Sequence, residues 1–239
     1  FLFYNFMDLQ KEKDVYYLHL ISSKDNGETW SDPVDITDQI SEPAWHHDFK
    51  FITSGRGMQT KSGKLLHCMV NLEKGMHVFG SNDHGTTWHL IDMPIVPGDE
   101  SKIVELSDGR WMINSRVNTG DKRYVHISDD EGKTWKSAAS DVLIDPHCNA
   151  SIISYSMGNE SILLFSNASS TIDRSNLKVR ISYDDGETWS EGRTIYTGSA
   201  AYSSMTLLEN GDIGIFFEKD DYTENVFASF TLDLLKKNE

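Results

Sequence analysis

The side chains best suited to chemistry in this sequence stand at the ends of predicted β-hairpins. Glu100 precedes one apolar run and Arg116 follows the next, and an Asp-Gly turn at 108–109 separates the two runs. Counting outward from that turn pairs Glu100 with Arg116 across the strands. A carboxylate held beside a guanidinium can act as a base next to an anion-binding cation, or it can be an ordinary ion pair at the rim of a sheet.

A second predicted hairpin carries a phenol. The turn Asn210-Gly211 sets Tyr202 beside Glu218, and Arg174 lies in a separate loop. A phenol with an ordinary pKa of about 10 is a poor nucleophile at neutral pH unless a neighbouring base removes its proton. Taken singly, each of these side chains is better explained as a surface charge or, for Tyr202, as an ordinary strand-edge tyrosine. A role in catalysis therefore requires that the fold gather them in one place.

An octapeptide repeat indicates the elements that must position these side chains. The pattern S-x-D-x-G-x-T-W occurs four times, roughly 50 residues apart, at residues 23–30, 81–88, 128–135 and 182–189. Its Asp can hydrogen-bond the backbone two residues ahead and its Gly can supply a positive φ, which is typical of a turn. A calcium loop would need several more carboxylates at set spacings, so we interpret the octapeptide as a structural turn with a packed tryptophan.

A second turn signal alternates with the octapeptides and completes the repeating unit. It occurs between short apolar runs, at Ser62-Gly63, Asp108-Gly109, Gly158-Asn159 and Asn210-Gly211. Each such pair of runs predicts a β-hairpin, and no segment with helical periodicity exceeds two turns. Four strands in each unit of ~50 residues, repeated along the chain, predict an all-β fold of the β-propeller type.

Successive strands of each predicted unit run in opposite directions, so the turns that connect them alternate between the two faces of the propeller. The octapeptide turns and the Gly turns fall on one face. The segments before each unit's first strand lie on the other face, together with the loop between its second and third strands. The side chains that fall in this second group are Glu100, Arg116, Arg174, Tyr202 and Glu218. The face opposite the octapeptides is therefore the predicted site.

Composition restricts the classes of function. The chain has 239 residues and a formal net charge of −15, and such an acidic surface disfavours nucleic-acid binding. No apolar run approaches the ~18 residues of a membrane span, and no signal peptide is visible. Cys68 and Cys148 supply neither a disulfide framework nor a zinc ligand set. His46, His47 and Asp48 form a polar cluster that we expect to face solvent or to be hydrogen-bonded rather than to hold a metal.

The octapeptide resembles the Asp box of the sialidases (neuraminidases), and the segments between its copies resemble that family more specifically. Residues 99–106 (DESKIVEL), with Asp-Gly at 108–109 and Asn-Ser-Arg at 114–116, are similar to the family stretch N-E-S-x-V-V-E-L…D-G…N-x-R. Further segments are similar to the G-x-G-I-Q strand, the arginine segment and the nucleophile segment of the family, at 54–59, 169–180 and 201–218. The resemblance runs through the whole chain and implies a six-bladed β-propeller of the sialidase type with exo-α-sialidase activity.

The resemblance implies a role for each matched residue. Tyr202 would be the nucleophile of a retaining glycoside hydrolase, and Glu100 would be the base that activates it. Arg116 and Arg174 would be two of the three arginines that bind the carboxylate of sialic acid. Glu218 resembles the carboxylate that orients the remaining arginine.

Other implications of the resemblance concern the pocket and the partners. Arg56 and Gln59 are weaker candidates to line the substrate pocket. The expected substrates are sialylated glycans, and the chemistry requires no cofactor and no metal. Secretion or display at the cell surface is expected from the family alone.

Two parts of the family site have no counterpart in this sequence. The Arg-Ile-Pro segment that carries the first arginine is absent, and so is the Asp that serves as acid/base. Residues 1–239 therefore resemble about the C-terminal two-thirds of a sialidase catalytic domain, starting inside a blade, and one or more N-terminal blades are expected to be missing.

Several alternatives stay open at this point. The chain could be one piece of a split or processed enzyme that a second chain or an N-terminal fragment completes, a truncated gene product, or an inactive remnant. A non-catalytic Asp-box propeller that binds glycans or proteins is the alternative function. Linkage preference is open, as is the choice between hydrolysis, transfer and release of an anhydro product.

Overall fold

Antiparallel strands make up nearly all of the regular structure. The computed structural model of the chain describes residues 1–10, 12–157 and 160–236. Within these residues the strands form four sheets. The first sheet contains β1 (Leu2–Phe6), β2 (Tyr17–Ile21) and β3 (Val34–Asp35), and it is followed by the short helix α1 (Thr37–Ile40) and a 3-10 turn (Pro43–Trp45). The second sheet contains β4 (Lys50–Ile52), β5 (Met58–Gln59), β6 (Leu65–Asn71), β7 (Gly75–Ser81) and β8 (His89–Ile95).

The remaining two sheets carry most of the predicted site residues. The third contains β9 (Ser101–Glu105), β10 (Trp111–Ser115), β11 (Lys122–Ser128) and β12 (Lys136–Ile144). The fourth contains β13 (Ser151–Met157), β14 (Glu160–Ala168), β15 (Ser175–Ser182), β16 (Arg193–Leu207), β17 (Ile213–Lys219) and β18 (Glu224–Phe230), and α2 (Leu232–Lys236) follows. Two repeat units merge in this six-stranded sheet because β16 is long enough to pair with β15 at one end and with β17 at the other.

The predicted Gly turns are observed wherever the structure describes them. Gly109 and Gly211 have φ values of +90° and +85°, a region that glycine reaches without steric cost, and each closes a two-strand hairpin. The turn at Gly158-Asn159 lies outside the described residues, although the flanking strands β13 and β14 do pair.

The octapeptides form the predicted turns through a hydrogen-bond network within each copy. In the copy at 81–88, Ser81 Oγ accepts the Gly85 N–H at 2.8 Å, and Asp83 Oδ1 accepts the Thr87 N–H at 2.9 Å. The Thr87 hydroxyl donates to the other oxygen of Asp83 at 2.7 Å. Hydrogen bonds from the backbone and hydroxyl of Thr87 lower the pKa of Asp83 to about 2. Asp83 is therefore fully occupied as an acceptor within the turn, as the structural interpretation requires.

The apolar core lies between neighbouring sheets. Leu18 and Leu20 of β2 pack with Phe79 of β7 and with the octapeptide residue Trp88. Comparable clusters join the second sheet to the third, and the third to the fourth. Sheets that bury residues against both neighbours in this way are arranged as the blades of a propeller. The predicted all-β, propeller-like architecture is confirmed, and the described residues contain no helix with the length and apolar character to cross a membrane.

The octapeptide tryptophans are not equivalent, which yields a stability prediction. Trp88 is buried against Phe3, with ring centroids 5.0 Å apart, whereas Trp30 is 44% exposed. We expect Trp88→Ala to lower the free energy of unfolding by about 3–5 kcal/mol, because it leaves a large cavity, and Trp30→Ala to lower it by less than about 1 kcal/mol. Urea denaturation of both variants measures this, and equal losses would contradict the packing described here.

Candidate active site

The hairpin of β9 and β10 brings Glu100 and Arg116 together. Its ladder pairs Ser101 with Ser115 and continues one residue further, since the Arg116 N–H donates to the Glu100 carbonyl at 3.1 Å. The side chains meet as well, with Arg116 Nη1 2.6 Å from Glu100 Oε2. Glu100 is buried, at 4% exposure, so water and salt weaken this ion pair far less than they weaken a pair at the surface. The pairing predicted from the Asp-Gly turn is confirmed.

The phenol of Tyr202 approaches the same carboxylate from another sheet. Tyr202 lies on β16, and its hydroxyl donates to Glu100 Oε2 at 2.5 Å. Arg116 Nη1 lies 3.5 Å from the Tyr202 oxygen. Behind the ring, Glu218 Oε2 accepts the backbone N–H of Tyr202 at 3.0 Å, as the predicted register allows. Glu218 thus fixes the backbone of Tyr202, a contact that differs from the role in orienting an arginine that the resemblance implies.

Burial and the Glu100 contact together keep the phenol of Tyr202 protonated. Burial raises the pKa of Tyr202, and the hydrogen bond to Glu100 and the charge of that carboxylate raise it further. The positive charges of Arg116 and Arg174 act in the opposite direction but do not cancel the rise. The phenol therefore keeps its proton at neutral pH and presents it to Glu100. Formation of a phenolate requires that the proton move to the carboxylate during the reaction.

Arg174 completes the cluster from the loop before β15. Its guanidinium carbon lies 5.7 Å from the centre of the Tyr202 ring, within the range of a cation–π contact. Arg174 Nη2 donates to the His147 carbonyl and Nη1 to the Tyr222 hydroxyl, both at 2.9 Å. Burial opposes the charge on Arg174, yet its pKa is raised overall by contacts that include the Tyr222 hydrogen bond. Arg174 is therefore a fixed cation on the ring face of Tyr202.

Two residues that the sequence reasoning did not single out hold Arg116 in place. Asn118 Oδ1 accepts Arg116 Nε at 3.1 Å, and Asn118 Nδ2 donates to Asp99 Oδ2 at 2.5 Å. Burial opposes the charge on Arg116, but Asp99 and Glu100 outweigh that effect and raise its pKa. The only sequence signal for these two residues is that Asp99 directly precedes Glu100 and Asn118 closely follows Arg116, so both lie at the open end of the hairpin.

A buried lysine beneath Glu100 also escaped prediction. Lys102 lies two residues further along β9, so it shares a face of the sheet with Glu100. Its ammonium donates to the Ser54 carbonyl at 2.6 Å and to Asn149 Oδ1 at 2.8 Å. Burial lowers the pKa of Lys102 to about 7, although the negative charge of Glu100 acts in the opposite direction. Lys102 ties the inner parts of three sheets together under the candidate site.

The structure does not bring Arg56 and Gln59 to this cluster. Arg56 hydrogen-bonds the hydroxyl of Thr206, and the Gln59 amide donates to the Gly63 carbonyl at 3.4 Å. Both line a depression of about 340 Å³ at the ends of β9 and β16 and a larger cavity beside β1, and the lining of neither includes Glu100 or Tyr202. Their place in the substrate pocket stays a prediction.

The assembled cluster combines two cations with a proton acceptor beside a phenol. Arg116 and Arg174 offer two fixed cations, and Glu100 offers one acceptor for the proton of the Tyr202 hydroxyl. Two guanidiniums beside a single carboxylate favour an anionic ligand, such as a carboxylate, over a metal cation. An activated phenol next to a bound anion is an arrangement suited to nucleophilic catalysis on an acidic substrate.

Comparison with known proteins agrees with this geometry. The family described as BNR repeat-like domain matches residues 1–215. A sialidase of Micromonospora viridifaciens is 34% identical over 237 residues, which cover 92% of this chain and 36% of the relative. A sialidase of Bacteroides fragilis is 31% identical over 214 residues, which cover 84% of this chain and 39% of the relative. The chain thus spans well under two-thirds of the length of these relatives.

A solved structure extends the similarity to the fold. A Hadza microbial sialidase superposes with a TM-score of 0.84 at 29% identity, over 92% of this chain and 45% of that one. The propeller predicted from the repeat is therefore of the sialidase type. Together with the family match, this similarity shows that the chain belongs to the BNR repeat-like family and, within it, to the sialidases.

Proposed function

We propose that the chain is part of the catalytic propeller of an exo-α-sialidase, a glycoside hydrolase that removes terminal sialic acids from glycans. The observation that carries the proposal is the 2.5 Å hydrogen bond from the Tyr202 hydroxyl to Glu100, between Arg116 and Arg174. A binding module has no use for a base aimed at a phenol, whereas a glycosidase with a tyrosine nucleophile requires one. Sialylated glycans are the proposed partners, and secretion or surface display would bring the enzyme to them.

The proposed reaction begins with capture of the substrate carboxylate by Arg116 and Arg174. Glu100 then takes the proton of Tyr202 as the phenolic oxygen forms a bond to the anomeric carbon. The bond from that carbon to the aglycone oxygen breaks, and an acid protonates the departing oxygen. Water next displaces the tyrosyl oxygen and loses a proton to the conjugate base of that acid, while Glu100 returns its proton to the tyrosyl oxygen, so that two inversions give net retention.

A tyrosine suits this substrate for an electrostatic reason. The anomeric carbon of sialic acid carries a carboxylate, and an anionic Asp or Glu nucleophile would be repelled by it. A phenol is neutral until Glu100 removes its proton, so Tyr202 can approach without that penalty. Binding the substrate carboxylate between Arg116 and Arg174 also lowers the repulsion that the developing phenolate meets.

Two parts of the proposed site must come from elsewhere. The sequence contains no Arg-Ile-Pro segment, and none of its matched positions supplies the acid that protonates the aglycone. Among the described residues, β1 pairs on one side only, with β2, and it borders a cavity of about 720 Å³ that Trp30 and Trp88 also line. We propose that a further strand, from an N-terminal segment or a second chain, pairs at this edge and brings the missing groups.

The 239-residue chain by itself lacks part of the proposed site. Because the arginine triad and the acid are incomplete, we expect the purified 239-residue chain to hydrolyse a fluorogenic sialoside slowly or not at all. The complete enzyme assayed under the same conditions is the control. Rapid turnover by the 239-residue chain would contradict the requirement for further segments.

Removing the Tyr202 hydroxyl separates catalysis from substrate binding in the complete enzyme. Tyr202→Phe removes the nucleophile and leaves the ring, so kcat should fall by about 10³-fold or more while the dissociation constant for sialic acid changes little. Tyr183→Phe, in an octapeptide turn away from the cluster, is the matched control and should leave both constants unchanged. Parallel loss of activity and binding in Tyr202→Phe would favour a purely architectural tyrosine.

A further inference from the structure

Three side chains with metal-binding groups converge away from the candidate active site. Glu12 lies in the connection between β1 and β2, and His46 and His47 directly follow the 3-10 turn Pro43–Trp45. One ligand atom from each residue lies within 4.8 Å of the others. His46 Nε2 is 2.9 Å from Glu12 Oε1, and the two imidazole rings are 4.8 Å apart in an edge-to-face arrangement. Segments distant in sequence thus present two imidazoles and a carboxylate to one point.

The backbone that carries the two histidines is anchored. The Asp48 N–H donates to the Trp45 carbonyl at 3.0 Å, which closes a turn around them. The buried ammonium of Lys50 donates to the same carbonyl at 2.8 Å, and the Trp45 ring is in the core of the first two sheets. The imidazoles therefore project from a fixed turn.

The carboxylate of Glu12 is oriented by a second contact. The Tyr17 hydroxyl donates to Glu12 Oε2 at 3.1 Å, which leaves Oε1 directed at His46. A ligand carboxylate whose free oxygen is held by an outer hydrogen bond is a common arrangement around protein-bound metals.

We propose that Glu12, His46 and His47 form a zinc site that fastens the β1–β2 connection to the turn after Trp45. Two imidazoles and one carboxylate are a ligand set that Zn²⁺ uses with water in the fourth position, whereas Ca²⁺ and Mg²⁺ prefer oxygen ligands alone. The sequence grouped Asp48 with the histidines in a polar cluster that was not expected to hold a metal. In the structure Asp48 instead accepts the Asn71 amide at 2.8 Å, and Glu12 takes its place.

The simpler explanation is a surface ion pair of Glu12 with His46 alone. Such a pair gives His47 no role, so His47 distinguishes the two explanations. The zinc site shares no residue with the Tyr202 cluster, and its test does not depend on sialidase activity.

The test is titration of the tag-free 239-residue chain with Zn²⁺ by calorimetry. We expect one saturable equivalent of zinc, with the affinity lowered at least about tenfold by His47→Ala and by Glu12→Gln. His89→Ala removes another exposed histidine, at the start of β8, and should bind zinc as the parent does. Co²⁺ bound at the same site should give the intense visible absorption of a tetrahedral complex, and Zn²⁺ should abolish it.

Two outcomes would overturn the proposal. One is the absence of saturable zinc binding, and the other is equal affinity in the parent, His47→Ala and Glu12→Gln. Circular dichroism of each variant establishes that it is folded. As a second measurement, zinc should raise the melting temperature of the parent and of His89→Ala, a chelator should reverse the rise, and His47→Ala should show none.

Discussion

The hydrogen bond between the Tyr202 hydroxyl and the buried carboxylate of Glu100 is the interaction on which the candidate site depends. A carboxylate at 4% exposure is costly unless it is paired, and Arg116 provides the pairing at 2.6 Å. The same carboxylate oxygen that accepts Arg116 also accepts the phenol. Removing the Glu100 carboxylate would take the shared acceptor from both Arg116 and the Tyr202 phenol. The cluster is therefore one electrostatic unit rather than three independent side chains.

The scaffold serves to hold this unit across a sheet boundary. Glu100 and Arg116 belong to the third sheet, and Tyr202 and Glu218 belong to the fourth. Lys102 joins them beneath the site through Ser54 and Asn149, and buried Arg123 braces the loop above it with hydrogen bonds to Asp145 and to the Cys148 carbonyl. The octapeptide turns lie at the other ends of the strands. There the aspartates accept hydrogen bonds from the threonines of their own turns and have a structural role. Structural and chemical roles are thus separated by face.

The sequence predicted those parts of the structure that local geometry determines. An Asp-Gly turn fixes which residues pair across a hairpin, so the contact between Glu100 and Arg116 followed from counting, and so did the neighbourhood of Tyr202 and Glu218. The contact between Glu100 and Tyr202 joins residues 102 positions apart. Counting strands assigned both residues to one face of the propeller. It could not predict that they lie within hydrogen-bonding distance, because that distance depends on how neighbouring sheets pack.

Other features could not be predicted because they depend on tertiary contacts alone. A buried lysine such as Lys102 is uncommon, and no spacing rule signals that Ser54 and Asn149 will satisfy it. Asp48 was grouped with the histidines by adjacency in sequence, whereas Glu12 reaches them from a distant loop.

Titration of Tyr202 in the 239-residue chain tests the central claim most directly. The Cζ resonance of ¹³C-labelled tyrosine reports ionisation, and the Tyr202→Phe spectrum assigns the signal. If the charge of Glu100 raises the pKa of Tyr202, Glu100→Gln must lower it, because the variant removes the negative charge that opposes loss of the phenolic proton. The account predicts that Tyr202 ionises at a lower pH in Glu100→Gln than in the parent. An unchanged titration would show that the two groups are not coupled and would contradict the account.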